Sequence, residues 1–136
     1  MHTCLLVADD GDIYEVLNRF ANYDGESSNP DAKFDYFGIG GRYEGALPLK
    51  QPRRLRRFFG LLPIGHTTRV SVAKKSEIDQ KTFLVEPPAA LFFRGQIYES
   101  PLFAEGEALA EWQAEFRRRF AEIPDDTTLQ IVDAHS

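Results

Sequence analysis

Two short stretches contain the residue types most suited to chemistry, and the first is the glycine-rich segment 38–45, Gly-Ile-Gly-Gly-Arg-Tyr-Glu-Gly. It is not a dinucleotide fingerprint, because its third glycine is misplaced, and it is not a P-loop, because it contains no Gly-Lys-Ser/Thr. Backbone amides beside an arginine favour binding of an anion such as a carboxylate or a phosphate. The alternative is that the glycines carry the chain across a sheet edge while Arg42 pairs with a carboxylate such as Asp35. The predicted ligand-binding residues are Gly40, Gly41, Arg42 and Glu44.

The second stretch lies near residue 136, where Asp133 and His135 are separated by one residue. On a strand, this spacing places both side chains on the same face. The carboxylate can then orient the imidazole for acid–base chemistry, or the two can share a metal ion. Together with Asp35 or Glu44 they would make a site of two carboxylates and one histidine. The alternative is an exposed, structural histidine. The candidate catalytic residues are Asp35, Asp133 and His135, and no metal or cofactor is predicted.

The other histidines and the single cysteine are assigned no chemistry. His2 and His66 have no acidic or histidine neighbour at ligand spacing, so we predict structural or surface roles for them. Cys4 lies in an apolar run and is predicted to be a small buried hydrophobe rather than a nucleophile. One cysteine also excludes an intramolecular disulfide and a multi-cysteine zinc site.

Charge is distributed unevenly along the chain. The 136 residues include 16 Lys and Arg against 21 Asp and Glu, and this net charge of −5 argues against a general binder of nucleic acid or anionic membranes. Residues 51–75 nevertheless contain seven Lys and Arg and no acid. This basic segment is a solvated face, a contact for an acidic protein surface or a second copy of the chain, or a contact for phosphates. The predicted partner-binding residues are Arg53, Arg54, Arg56 and Arg57.

The hydrophobic pattern predicts an α+β fold. Residues 2–8 are typical of a strand, and Asp12 is placed to cap a helix. Further strands are predicted at 34–39, 67–73, 82–85, 89–93 and 128–132. Arg94-Gly95, followed by Gln96-Ile97-Tyr98, predicts a tight hairpin turn with the glycine in a left-handed conformation. A helix from about Glu105 to Glu122 has an apolar stripe consisting of Leu109, Trp112, Phe116, Phe120 and Ile123. We predict a single domain, residues 1–136, folded as a two-layer sandwich in which a mostly antiparallel sheet has two main helices on one face.

No targeting or membrane segment is recognised in the sequence. No apolar run reaches the roughly 18 residues that a membrane span needs. The first residues contain no basic region ahead of an apolar stretch, so no secretory signal is visible. These observations predict a cytoplasmic protein.

Residues 29–43, Asn-Pro-Asp-Ala-Lys-Phe-Asp-Tyr-Phe-Gly-Ile-Gly-Gly-Arg-Tyr, resemble a family of small phage and bacterial proteins of unknown function. Its members carry Asn-Pro-x-x-Lys-Trp-Asp-Trp-Tyr-x-Ile-Gly-Gly-Arg-Trp. Residues 123–135 are similar to the family's ending, which has a Pro-Asp-Asp turn, a strand and Asp-Cys-His. The chain departs from the family at Phe34, Tyr36, Tyr43 and Ala134. The resemblance implies a phage or prophage origin and pairs the Gly-Gly-Arg turn with the last strand, and it implies no activity.

Two main classes of function follow from these observations. The first is a non-enzymatic binding protein that acts on a protein partner, for example a host protein whose defence function it inhibits. The second is a small enzyme, or a binder of a nucleotide or another anionic ligand, that uses the Gly-Gly-Arg turn and the Asp-x-His strand. A homo-oligomer held by the basic segment is a third hypothesis. Convergence of Asp35, Arg42, Glu44, Asp133 and His135 on one cleft is what the second class requires.

Overall fold

A computed structural model describes residues 1–22, 29–50 and 68–136. The chain opens with strand β1 (His2–Ala8) and a short helix α1 (Ile13–Leu17). Helix α1 begins where the sequence predicts, because the Asp12 carboxylate accepts hydrogen bonds from the N–H groups of Tyr14 and Glu15. The first strand and the helix cap are therefore confirmed.

The other elements follow in chain order. Strands β2 (Tyr36–Ile39), β3 (Leu47–Pro48), β4 (Arg69–Val70) and β5 (Val72–Lys74) precede a short helix α2 (Gln80–Phe83). The hairpin of β6 (Ala90–Phe93) and β7 (Gln96–Glu99) leads to the long helix α3 (Gly106–Glu122) and the last strand β8 (Thr128–His135). Arg94 and Gly95 both have positive φ and form the predicted hairpin turn.

Strand β1 lies near the centre of the main sheet. Within the described residues, this sheet has six strands in the order β2-β8-β1-β6-β7, and β5 also pairs with β8. Strand β1 runs antiparallel to β8 and parallel to β6, whereas the other pairs are antiparallel. The predicted α+β fold with a mostly antiparallel sheet is confirmed.

The sheet differs from the prediction in one respect, which is the placement of the helices. Alternate residues of β1 belong to two cores: Leu6 packs in the core that includes Phe116 of α3, and Leu5 packs in the core that includes Leu17 of α1. The two helices therefore lie on opposite faces, not on one. The physical reason is that residues 5–8 of β1 are buried on both faces, so each face needs a covering layer.

Two local predictions also change. Residues 82–85, predicted as a strand, are partly helical, because the Asp79 side chain accepts a hydrogen bond from the Thr82 N–H and caps α2. The apolar stripe of α3 is buried from Trp112 to Ile123, but Leu109 at its start remains 37% exposed. Helix α3 therefore extends beyond the core that it covers.

The predicted basic contact falls outside the described residues, so Arg53, Arg54, Arg56 and Arg57 remain a prediction. In the part of the chain that the structure describes, no helix is long and apolar enough to cross a membrane.

Candidate functional site

The pairing of β1, β8 and β2 brings the predicted site residues together at one end of the sheet. In β1 and β8, His2 lies opposite His135 and Cys4 lies opposite Asp133. On the other side of β8, Tyr36 lies opposite His135. Because cross-strand partners project from the same face, these side chains form one row above the sheet.

Asp133 is the centre of the row. It is buried, and its Oδ1 lies 2.7 Å from His2 Nδ1. Its Oδ2 accepts a hydrogen bond of 3.0 Å from the backbone N–H of Arg42. Both carboxylate oxygens are thus paired, which is what a buried carboxylate requires.

The surroundings of Asp133 keep it ionised. Burial alone raises the pKa of this carboxyl, but the hydrogen bonds from Arg42 and His2, together with the charges of these two residues, outweigh that effect and lower the pKa below its ordinary value. The site therefore contains a carboxylate at neutral pH, and this carboxylate fixes the orientation of the His2 ring. The ring nitrogen left for a ligand is His2 Nε2.

The Gly-Gly-Arg turn is shaped around the same carboxylate. Gly40 and Gly41 have φ of 74° and 54°, a left-handed conformation that favours glycine. A Cβ on Gly41 would lie 2.5 Å from Asp133 Cβ and 2.6 Å from its Oδ2. The anion that this turn holds through the Arg42 N–H is therefore the protein's own Asp133, so a ligand would meet Arg42 through its exposed side chain.

His135 has a different environment from His2. Its ring stacks on Tyr36 with centroids 4.6 Å apart and meets the His2 ring edge-on at 4.8 Å. His135 Nδ1 lies 3.4 Å from Asp35 Oδ2, but the alignment does not make a hydrogen bond, and this buried nitrogen has no hydrogen-bond partner among the described residues. The two histidines therefore differ: Asp133 lies at hydrogen-bond distance from His2, whereas Asp35 makes only a longer ion-pair contact with His135.

Cys4 and Tyr43 lie near His2, but neither is an activated nucleophile. Burial, and to a lesser extent the Asp133 charge, raises the pKa of the Cys4 thiol to about 12, so the sulfur stays protonated. The Tyr43 hydroxyl donates to the backbone carbonyl of His2 at 3.1 Å. Among the described residues, no group of His, Cys, Asp and Glu is arranged to hold a metal ion.

A groove of about 1250 Å³ begins at His2. Its lining includes His2 and Cys4 from the row of side chains above the sheet, together with Tyr43, and continues to the segments before β6 and after β7. Besides Met1, four large hydrophobic residues of the described lining are exposed: Phe103 at 88%, Leu102 at 69%, Val85 at 65% and Leu109 at 37%. We call these four residues the apolar rim.

The structure places most of the residues that the sequence singled out in one neighbourhood. Asp133 holds the turn that contains Gly40, Gly41 and Arg42, and Asp35 approaches His135. Glu44 ends the turn with an exposed side chain, and within the described residues no hydrogen bond or ion pair joins its carboxylate to the two histidines.

The residue that the sequence analysis missed is His2. The prediction paired Asp133 with His135 of the same strand, whereas Asp133 contacts His2 across 131 residues of chain. The available signal was the pattern of two strands, 2–8 and 128–132, each with polar residues toward one end, but only their antiparallel register brings those ends together.

Comparisons with family models, with curated proteins and with solved structures find no match for this chain. The geometry of the groove and of the side chains in the row above the sheet is therefore what bears on function.

Proposed function

We propose that the protein is a binding protein that receives a segment of a protein partner in the groove beside His2. The observation that carries this proposal is the apolar rim, where Phe103 exposes 88% of its surface next to Leu102 and Val85. Single exposed apolar residues are ordinary on protein surfaces, but several that line one concavity are typical of interaction sites. The hydrophobic effect disfavours such a rim in water, and a bound apolar segment would cover it.

The conformation of Phe103 supports the same proposal. Its φ is 55°, a left-handed value that is uncommon for a bulky residue. Asn or Gly would adopt this backbone with less strain, and a polar residue would suit the exposure better. A strained and exposed aromatic residue at the rim of a groove is explained by what it binds, not by the stability of the fold.

Two features of the sequence fit a partner of this class. The resemblance to phage and bacterial proteins favours a host protein, such as a component of a defence system, and a bacterial cytoplasm as the place of encounter. The arginines at 53, 54, 56 and 57 add a contact for an acidic surface of that partner.

The experiment selects peptides from a random display library on the full chain and measures the affinity of a selected synthetic peptide. Val85→Asp places a charge on the rim, and Val72→Asp is its matched control, because Val72 is 47% exposed on β5 and does not line the groove. We expect Val85→Asp to weaken binding about tenfold or more and Val72→Asp to leave it unchanged. If both variants bind like the wild type, the groove is not the binding surface.

The hydrogen bond between His2 and Asp133 favours a second candidate, an acid–base site. An imidazole oriented by a carboxylate removes a proton from water through Nε2 as the water oxygen attacks an ester carbonyl, and the leaving alkoxide receives that proton. Hydrolysis of p-nitrophenyl acetate by the wild type, His2→Gln and Asp133→Asn tests this candidate. Loss of turnover in His2→Gln supports it, whereas equal rates in all three proteins exclude it for this ester.

A further inference from the structure

Strand β1 is paired along its whole length on one side only. Asp9 N–H donates to Thr128, and Ser136 N–H donates to Met1, so odd-numbered positions along β1 exchange hydrogen bonds with β8. Because successive residues of a strand point their N–H and C=O groups to opposite sides, the even-numbered residues face β6. His2, Cys4, Leu6 and Ala8 are those residues.

The β6 side of β1 is paired only from Leu5 onward. The register begins with Leu5 opposite Ala90, and the residues before Ala90 include Pro87 and Pro88. Proline has no N–H to donate, and the Pro88 carbonyl accepts the Trp112 indole N–H at 3.0 Å. The parallel ladder therefore ends there, and the N–H groups of His2 and Cys4 lie outside both ladders of β1.

This edge lies in the groove. Within the described residues the two N–H groups have no strand partner, whereas the His2 carbonyl accepts from the Tyr43 hydroxyl. The groove is lined by residues 1–5, by residues 86–90 and by the apolar rim. Two N–H donors on alternate residues of a strand are about 6.6 Å apart, which is the spacing of alternate carbonyl groups on an added strand. The edge is thus complementary to an extended polypeptide, and a compact apolar molecule would leave both donors unsatisfied.

Charge complementarity indicates one side chain of that polypeptide. Arg69 is exposed in the groove lining, and within the described residues it makes no ion pair. Two acids line the groove: Glu99 pairs with Lys33, and Glu86, like Arg69, makes no ion pair within the described residues. An arginine without a partner favours an acidic residue in the bound segment.

We propose that an extended segment of the protein partner adds to β1 as a strand, with its carbonyl groups accepting from His2 and Cys4. Its apolar side chains cover the rim, and an acidic side chain pairs with Arg69. This inference rests on the proposed binding function and names its mode, which is addition of a strand to a free sheet edge.

Amide hydrogen exchange of the full chain, with and without the selected synthetic peptide, tests the mode. We expect the peptide to slow exchange at Cys4 about tenfold or more, because its N–H becomes part of a ladder. Leu6 is the matched control, since its N–H already faces β6, and the peptide leaves its exchange unchanged. Arg69→Glu is expected to weaken binding of an acidic peptide, and replacing the peptide's acid by lysine restores it.

The outcomes distinguish a failure of the strand-addition mode from a failure of the proposed binding function. If Val85→Asp weakens binding while exchange at Cys4 is unaffected, the groove binds the peptide and strand addition is wrong. If no peptide is enriched, the proposed function itself fails. If the protein alone self-associates in sedimentation and exchange at Cys4 slows with its concentration, a second copy occupies the edge and the inference of a separate partner is overturned.

Discussion

The two halves of β1 differ in almost every physical property. Residues 5–8 are buried, lie between β8 and β6, and face a core on each side of the sheet. Residues 2–4 are half-buried and, among the described strands, pair with β8 alone. They place His2 against Asp133 beside an open groove. One strand therefore both stabilises the fold and presents its candidate functional surface.

The difference shows how the site is held in position. The buried half fixes the register between β1 and β8, since a slip of one residue would turn Leu6 out of its core. The same register sets His2 opposite His135 at the other end. The register set by residues 5–8 thus determines the positions of residues 2–4.

The largest expected effect concerns the reactivity of the Cys4 thiol. It tests whether residues 2–4 are accessible only along their backbone edge, or through their side chains as well. With a pKa of about 12, the thiol is expected to react with iodoacetamide near pH 8 on the order of 10³-fold more slowly than in the unfolded chain. The reaction is followed by mass spectrometry with and without urea. Similar rates in both conditions would show that the side-chain face of residues 2–4 is open as well.

Truncation of one side chain in each half of β1 measures how much each half contributes to the free energy of unfolding. Leu6→Ala removes a fully buried side chain and is expected to lower the free energy of unfolding by about 3 kcal/mol. His2→Ala is expected to cost less, about 1.5–2 kcal/mol, because its hydrogen bond is to the buried carboxylate of Asp133. Urea unfolding measures both. Equal losses would contradict a division of the strand into a stabilising and a functional half.

A smaller effect on stability is expected for a substitution in the Gly-Gly-Arg turn that contacts Asp133. Gly41→Ala places a Cβ against Asp133 at a positive φ and is expected to cost about 1–3 kcal/mol. Gly38→Ala is the matched control, because no atom lies within 4 Å of its Cβ position. Thermal unfolding compares the two variants. An equal and small effect for both would mean that the turn does not depend on contact with Asp133.

The smallest expected effect is on the pH dependence of stability. The pKa of Asp133 is lower in the folded than in the unfolded protein, so its contribution is present above the unfolded value, about 3.9, and is lost as the pH falls through the lower folded value. Asp133→Asn removes this contribution. Its free energy of unfolding is therefore expected to fall less steeply than that of the wild type below about pH 4. Parallel slopes in urea titrations across this range would contradict the assignment.

The sequence predicted those elements that are determined by residues close to one another in the chain. The Asp12 cap, the Arg94-Gly95 turn and the stripe from Trp112 to Ile123 each depend on neighbouring residues, and each is present. Residues 82–85 were mispredicted because the cap at Asp79 overrides their strand propensity.

The candidate site was predictable only in part. Asp133, Arg42 and the glycines were identified by their types and spacing, but the contact between Asp133 and His2 depends on register across the whole chain. The groove was not predicted at all, because exposure of Phe103 and Leu109 is a property of packing. Leu109 in particular belongs to a helical stripe whose buried part begins one turn later, at Trp112.

The most direct test of the proposed function is the affinity of the selected peptide for Phe103→Asp. Aspartate tolerates the positive φ of this position better than phenylalanine does, and the side chain is exposed, so the unfolding midpoint is expected to match the wild type. We predict that binding, measured by calorimetry, weakens about tenfold or more. An affinity equal to that of the wild type, in a protein of unchanged stability, would contradict the claim that the groove beside β1 is the binding surface.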